Sequence, residues 1–468
     1  MSRPVPGEEV SALPEIGVLR PKDPAVPPDT GRRRIGATAL PYSRARHFDR
    51  ILETRAVDPQ YQPIVDLGTR EVVAYEALSR GPKGTPLERP DLLFGTARDM
   101  GMVRELDWVC RARAMEGAIR AGMGSDLTLF VNVEPDVAAT RAPDDLILIM
   151  KQAEQDLRVV LEVTERALLQ RPAELLHWLS WARERWWGVA LDDVGADPAS
   201  LALMPFVNPD VIKLDFVYVR KEVLDDDDLR MISAVREHAD RTGATILAEG
   251  IETAAHVERA RELGASLGQG WYFGRPSALP SRLPSPRRAV PLLPASEPVD
   301  ASSPWDIVEP VAEERQSLGE ARARRIFARV EQSALLSREA PVVLGCFPPA
   351  PGPWGHPDRH FEKISDRAAF CGAIGVDMAN RVRPGWQSAS LTRGEEMADE
   401  WCVVVIGAHH AEVAVAFDAG EVDADGHRLL DVITTRDRRA VSRVAELLMR
   451  KLAMPAVGVD GRLVERVV

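Results

Sequence analysis

The sequence predicts an α/β chain built as a modified (β/α)8 TIM-type barrel followed by a smaller mixed α/β domain. Three observations carry this. From about residue 56, short runs rich in Val, Ile and Leu alternate with longer stretches of helical periodicity. Eight strand candidates fall at 61–66, 72–78, 127–132, 159–162, 189–192, 211–214, 245–248 and 267–269. Helical stretches such as 107–121, 172–184 and 228–242 lie between them. Eight strands in roughly 220 residues suit a barrel. A doubly wound open sheet is the alternative, disfavoured because no glycine-rich phosphate turn follows the first strand. The third observation is a change of composition at 283–317, where PSPRRAVPLLPASEPVDASSP marks a linker by its proline, serine and alternating charge. A second periodic region follows. It opens on a basic amphipathic helix at 321–333, offers strands at 342–346, 373–375, 402–407 and 412–416, and closes on a helix at 440–452. No internal repeat is seen.

The expected organisation is a proline- and arginine-rich tail (1–46), the barrel (47–282), the linker (283–317), the second domain (318–455) and a C-terminal tail (456–468). Segments like RPKDPAVPPDTGRRR carry too little apolar surface to offset the entropy of ordering, so the first is read as disordered, with a docking peptide as the alternative. The 468 residues hold 59 Lys and Arg against 71 Asp and Glu, a net charge of −12. That balance opposes wholesale binding to nucleic acid or to an anionic membrane. No apolar run approaches the ~20 residues of a membrane span, and the start has no signal-peptide core. Cys110, Cys346, Cys371 and Cys402 are far apart, with no C-x-x-C pair. A reduced, cytoplasmic protein is expected, with the three later cysteines in core positions.

Polar residues stand at the expected strand ends: Asn132, Glu162, Asp192 with Asp193, Glu249 and Gln269. Asn132, Glu162 and Asp192 are spaced 30 residues apart, the length of one βα unit, so their side chains should meet at the C-terminal mouth, where barrel active sites sit. Glu76 joins them after the second strand. Five carboxylates cannot share a site unaided, because like charges a few ångströms apart force protonation. Divalent cations relieve the repulsion, and oxygen ligands select hard ions such as Mg²⁺ or Mn²⁺ over zinc. The Asp192–Asp193 pair suits two ions, an arrangement that clamps an in-line displacement at phosphorus. Lys213 adds a fixed positive charge for the developing negative charge. Any one of these residues alone fits a helix cap or a turn equally well; the spaced set does not.

Residues from about 48 to 280 resemble the EAL-domain family of cyclic-di-GMP phosphodiesterases. The resemblance rests on YQPIVDL, on Glu76-Ala77-Leu78 in YEALSR, and on VNVEP, LEVTE, LDDVGA, VIKLD, AEGIE and GQGWYFGRP in that order. It implies roles. Glu76, Asn132, Glu162 and Asp192 would hold one metal ion, and Asp192, Asp193 and Glu249 the second. A metal-activated water would attack phosphorus, with Lys213 orienting it or stabilising the transition state. Glu165 would anchor the loop after the Asp pair, and Glu252 would support the far side of the site. Gln62, Leu78, Arg80 and Gln269 would touch the substrate, cyclic-di-GMP, which is opened to linear pGpG. The resemblance also implies one early strand antiparallel to the rest and a homodimer through this domain. The alternative is a catalytically weak or inactive cyclic-di-GMP receptor that signals through a protein partner. The family's loop D-D-F-G-x-G reads Asp192-Asp193-Val194-Gly195-Ala196-Asp197 here, followed by Pro198. Aspartate takes positive φ less readily than glycine, and Pro198 restricts its neighbour, so a reshaped loop is expected.

The second domain carries less chemistry. His409-His410 reads as a solvated loop, and the polar knots Asp399-Glu400-Trp401 and 434–438 read as turns or a pocket lining. VVLGCF, DEWCVVVIG and TTRDRRAV resemble the DICT sensory domain, which implies a regulatory input for an unnamed ligand or protein.

Overall fold

The computed structural model describes residues 42–134, 142–195 except 171, 197, 199–294, 299–349 except 338, and 361–453 except 362 and 384. The tails read at 1–46 and 456–468 lie outside the described residues, except that residues 42–46 belong to the first helix rather than to a tail. The first helix, α1 (Tyr42–Thr54), leads into β1 (Asp58–Asp66) and β2 (Val72–Arg80). Helices α2 (Pro90–Met100) and α3 (Val103–Arg120) precede β3 (Thr128–Asn132), and α4 (Asp144–Asp156) precedes β4 (Arg158–Thr164). Then come α5 (Glu165–Gln170), α6 (Pro172–Arg183), β5 (Gly188–Val194), α7 (Ser200–Val207) and β6 (Val211–Leu214). The barrel ends with α8 (Phe216–Arg220), α9 (Asp226–Thr242), β7 (Thr245–Ala248), α10 (Ala254–Glu262) and β8 (Leu267–Gln269).

The eight strands close in sequence order. β1 runs antiparallel to both of its neighbours, β2 and β8, while every other adjacent pair is parallel. The barrel is thus the modified form expected. Its lumen is filled at the lower level by one apolar residue from each strand: Ile64, Ala74, Phe130, Val160, Ala190, Val211, Leu247 and Leu267. Side chains two residues apart on a strand share a face. One step up each parallel strand, and one step back along antiparallel β1, the lumen therefore receives Glu76, Asn132, Glu162, Asp192, Lys213, Glu249, Gln269 and Gln62.

The proline-rich stretch 283–317 is tied down at both ends. Val290 joins the lower lumen with Leu292 packed beside it. Arg158 donates to the Val290 carbonyl at 2.9 Å, and the Leu293 amide donates to Asp210 at 2.5 Å. Gly188 makes room for this plug, since a Cβ there would stand 2.6 Å from Leu292. Further on, α11 (Pro304–Val308) carries the buried Trp305, whose ring meets Phe417 edge-on at 4.5 Å between centroids. Periodicity could not reveal this anchoring, because the segment's apolar residues pack singly into sites made by distant elements.

The second domain begins with β9 (Gln316–Gly319) and α12 (Glu320–Leu336). Strands β10 (Val342–Phe347), β11 (Phe370–Val376), β12 (Arg381–Arg383), β13 (Trp386–Leu391), β14 (Glu400–Ile406), β15 (Ala411–Val422) and β16 (Arg428–Thr435) follow, and α13 (Arg438–Leu452) closes it. They form one sheet in the order β12-β13-β11-β10-β14-β15-β16-β9. Only β10–β11 and β11–β13 pair in parallel. Alternation splits the faces: Val342, Leu344 and Val404 share a core with α13, while Val343, Val403 and Val405 share one with Phe327 and Val330 of α12. All four cysteines are buried and free. The strand read at 373–375 extends over all of β11, and β9, β12, β13 and β16 lie where no strand was expected. The α13-side core is continuous with the core under the barrel helices, and the described residues form one compact unit.

Candidate active site

The upper layer of the lumen is a single polar network centred on Lys213, which is buried at 1% exposure. Its Nζ lies 2.7 Å from Glu162, 2.8 Å from Asp192, 2.9 Å from Glu249 and 4.0 Å from Glu76. Asn132 donates to Glu76 Oε1 at 3.0 Å, and Gln269 donates to Glu76 Oε2 at 2.6 Å and to Gln62 Oε1 at 3.4 Å. Gln62 in turn donates to the Gly274 carbonyl at 3.2 Å. Residues from seven of the eight strands are so linked directly. Asp193 follows at φ 56°, a left-handed conformation that turns the chain just after Asp192 and brings a second carboxylate to the rim. One carboxylate oxygen from each of Asp192, Asp193 and Glu249 lies within 4.8 Å of the others.

One ammonium faces five carboxylates, and the electrostatics follow from that imbalance. Burial, reinforced by the Glu76 carboxylate, holds the Glu162 carboxyl well above the usual range, although Lys213 pulls the other way. Burial pushes Glu249 up to about 7 against the pull of Lys213. Burial and the neighbouring Asp192 raise Asp193. For Lys213, burial favours the neutral amine, but Asp192, Glu162, Glu249 and Glu76 outweigh it and keep the ammonium charged. Neither Glu162 oxygen has a hydrogen-bond donor beyond this ion pair, and Gln269 Oε1 has none. Orphaned buried oxygens in an all-oxygen donor set fit a hard divalent cation and do not fit a soft one.

Glu165 stands apart from the network and holds the loop after the Asp pair. Its carboxylate accepts from the amides of Gly195 at 3.4 Å and Asp197 at 2.8 Å and from the Ser200 hydroxyl at the start of α7. Asp197 does not take positive φ, whereas Gly195 does, at 115°. Tyr218 donates to the Gly195 carbonyl at 3.0 Å, and its ring lies 2.3 Å from where a Cβ on residue 195 would be. Leu78 and Arg80 sit higher on β2, half-buried, with Arg80 donating to the Ser79 carbonyl at 2.9 Å. Burial lowers the Arg80 pKa. Glu252 is not drawn into the cluster. It is exposed and pairs with Arg220 of α8 at 2.7 Å.

Sequence reasoning passed over Ser200 and Tyr218, which clasp the loop from either side. Nothing local distinguishes them from an ordinary helix-start serine and a core tyrosine. It also passed over Asp107, buried at 3% exposure, which accepts from the Glu134 amide at 3.0 Å just past Asn132 and is paired with the buried Arg111 at 2.6 Å.

Residues 45–276 match the family described as "EAL domain", so the barrel is an EAL domain. Two relatives are cyclic di-GMP phosphodiesterases of Pseudomonas aeruginosa. RocR is 29% identical over 230 residues, covering 48% of this chain and 58% of its own, and NbdA is 31% identical over 225 residues, covering 47% and 29%. An uncharacterized protein of Mycobacterium tuberculosis is 28% identical over 261 residues, 54% of this chain and 42% of its own. The chain thus spans less than two thirds of the length of these relatives. A solved structure of Klebsiella pneumoniae BlrP1, a manganese and cyclic-di-GMP complex, aligns with a TM-score of 0.42 at 28% identity, over 47% of this chain and 56% of that one. No helix among the described residues is long and apolar enough to cross a membrane.

Proposed function

We propose that this chain hydrolyses cyclic-di-GMP to linear pGpG with two divalent ions, Mg²⁺ or Mn²⁺, at the barrel mouth. The observation that carries the reading is the upper lumen layer, where four carboxylates and three amides surround one lysine, with Asp193 at the rim, in a domain whose named relatives are cyclic di-GMP phosphodiesterases. Glu76, Asn132, Glu162 and Asp192 would hold one ion, and Asp192, Asp193 and Glu249 the other. Bound there, the ions supply Lewis acidity, lowering the pKa of a water and drawing charge off the phosphate oxygens.

The chain's own groups do the rest. Lys213, fixed by three carboxylates, presents a permanent positive charge that stabilises negative charge developing on phosphorus-bound oxygen. Water adds to phosphorus, the P–O3′ bond breaks, and the 3′ oxygen leaves with a proton as the ring opens. Arg80 would pair with a phosphate. Gln62 and Gln269, already bonded to each other, offer amides to the substrate, and Leu78 offers apolar contact. Trp271 and Tyr272, exposed just beyond Gln269, are suited to stack on a guanine. Glu165 positions the loop carrying Asp193 rather than touching the substrate. The DICT resemblance supports a sensory role for the second domain, and the packing of α13 on α6 and α7 supplies a route to α7 and the loop before it.

The test is to incubate the purified full chain with cyclic-di-GMP and Mg²⁺ or Mn²⁺ and to follow pGpG by chromatography, with Glu76→Ala as control. Metal-dependent pGpG that vanishes in the variant is expected. Tight binding without product would overturn the enzyme in favour of the receptor, unless removing the second domain released activity.

A further inference from the structure

One buried charged pair lies outside the polar layer and yet touches the chain that leaves it. Asp107 and Arg111 stand one turn apart on α3, at 3% and 0% exposure, with Arg111 Nε 2.6 Å from Asp107 Oδ2. Asp107 Oδ1 accepts from the Glu134 amide at 3.0 Å. Burial raises the Asp107 pKa, and Arg111 and the Glu134 amide pull against it. Among the described residues Asp107 is the only ion-pair partner of Arg111, whose guanidinium carbon lies 3.9 Å from the centroid of the Trp108 ring.

A buried ion pair is a weak source of stability, because desolvation of both groups offsets their attraction. What this pair holds is the more telling observation. At the end of β3 the ladder to β2 stops at Val131, opposite Ala77, while the ladder to β4 continues to Asn132, opposite Glu162. The Val133 amide then donates to the Glu162 carbonyl at 3.0 Å. The backbone around Asn132 is thus gripped from the β4 side, and the Glu134 bond to Asp107 is its hold from the α3 side. A carboxylate is a stronger acceptor than a neutral oxygen, and Arg111 favours its ionised form and aims it. The Asn132 side chain gives Nδ2 to Glu76 at 3.0 Å, so Oδ1 is the atom left for a cation.

We propose that Asp107, aimed by Arg111, is a positioning residue for Asn132. It pins the backbone leaving β3, and so sets where the Asn132 amide stands beside Glu76 and how well that side of the mouth holds a divalent ion. The inference rests on the two-ion reading of the mouth.

The test is Mn²⁺ binding to the full chain without substrate, followed by the electron paramagnetic resonance signal of the free ion. Asp107→Leu with Arg111→Met removes the hold and the charge pair together, so no unpaired charge is left buried. One Mn²⁺ site should then weaken by about tenfold or more, the range for partners that orient a metal ligand. Asp107→Asn with Arg111→Met restores an oxygen for the Glu134 amide without the charge, and should regain most of the lost affinity. A merely structural role would lower the unfolding midpoint of these variants and leave the affinity of the folded chain unchanged. If Asp107→Leu/Arg111→Met does not fold, Asp107→Ala/Arg111→Met, which adds no bulk, is read in its place. Parental Mn²⁺ affinity in that folded variant, or no recovery with Asp107→Asn/Arg111→Met, would overturn the proposal. A parent chain that binds no Mn²⁺ would sink the two-ion reading and this inference with it, whereas a parent and a variant that bind equally tightly sink this inference alone.

Discussion

Both halves of this molecule bury carboxylates, and they treat them oppositely. In the second domain each has its own compensation. Glu412 meets Arg329 at 3.3 Å and Arg436 at 3.2 Å, Asp431 meets Arg315 at 2.5 Å, and Glu400 caps the Trp305 amide at 3.0 Å. In the barrel lumen four carboxylates share one lysine, with a fifth, Asp193, at the rim. A locally paired buried acid is what a stable core tolerates. A cluster left in charge deficit is stabilised by something that arrives from outside, and so points to binding rather than to architecture.

The largest effect should come from removing the one base in the lumen. Lys213→Met is expected to abolish hydrolysis and to destabilise the metal-free chain by about 3–5 kcal/mol, read by denaturant unfolding in EDTA. An unchanged midpoint would mean the lumen carboxylates are not held as a cluster. In the second domain, Trp305→Ala should cost about 3 kcal/mol by opening the contact with Phe417, with no effect on metal-induced stabilisation.

Glu162→Gln sharpens the contrast from the other side. Removing one repelling charge should leave the EDTA-treated chain as stable or more stable, yet shrink the rise in Tm that Mn²⁺ gives the parent. A loss of stability in EDTA would show the lumen already balanced without metal.

Glu400 supplies the pH test in the second domain. Burial raises it to about 7. The folded state therefore holds this proton more tightly than the unfolded state, and stability falls as pH rises from about 4.5 to 7, by at most about 3 kcal/mol. Glu400→Gln should flatten that part of the stability-against-pH curve, measured in EDTA. The smallest effect is expected for Tyr218→Phe, which loses the hydrogen bond to Gly195, worth about 1 kcal/mol, and should lower turnover by loosening the loop after Asp193.

The barrel's strands and its polar layer were legible because they are local. Period-2 alternation puts Glu162 above Val160 and Asp192 above Ala190 whatever surrounds them, and βα spacing brings successive strand ends to one rim. The antiparallel β1 followed from the resemblance and not from any pattern within 58–66. Glu252 shows what motif order leaves open: it lies three residues beyond Glu249, but past the strand end the side chain pairs with Arg220 on the surface.

The sequence by itself determined the eight-stranded succession, the apolar floor of the lumen and the acidic layer above it, since each depends on spacing along one strand. Only the tertiary structure decided that Val290 plugs the barrel floor and that β9 pairs with β16 at the sheet edge. It alone decided, too, that α13 lies on α6 and α7. Those contacts join residues tens to hundreds of positions apart, and they exist because apolar faces and spare donors on separate elements find one another only once the chain has closed.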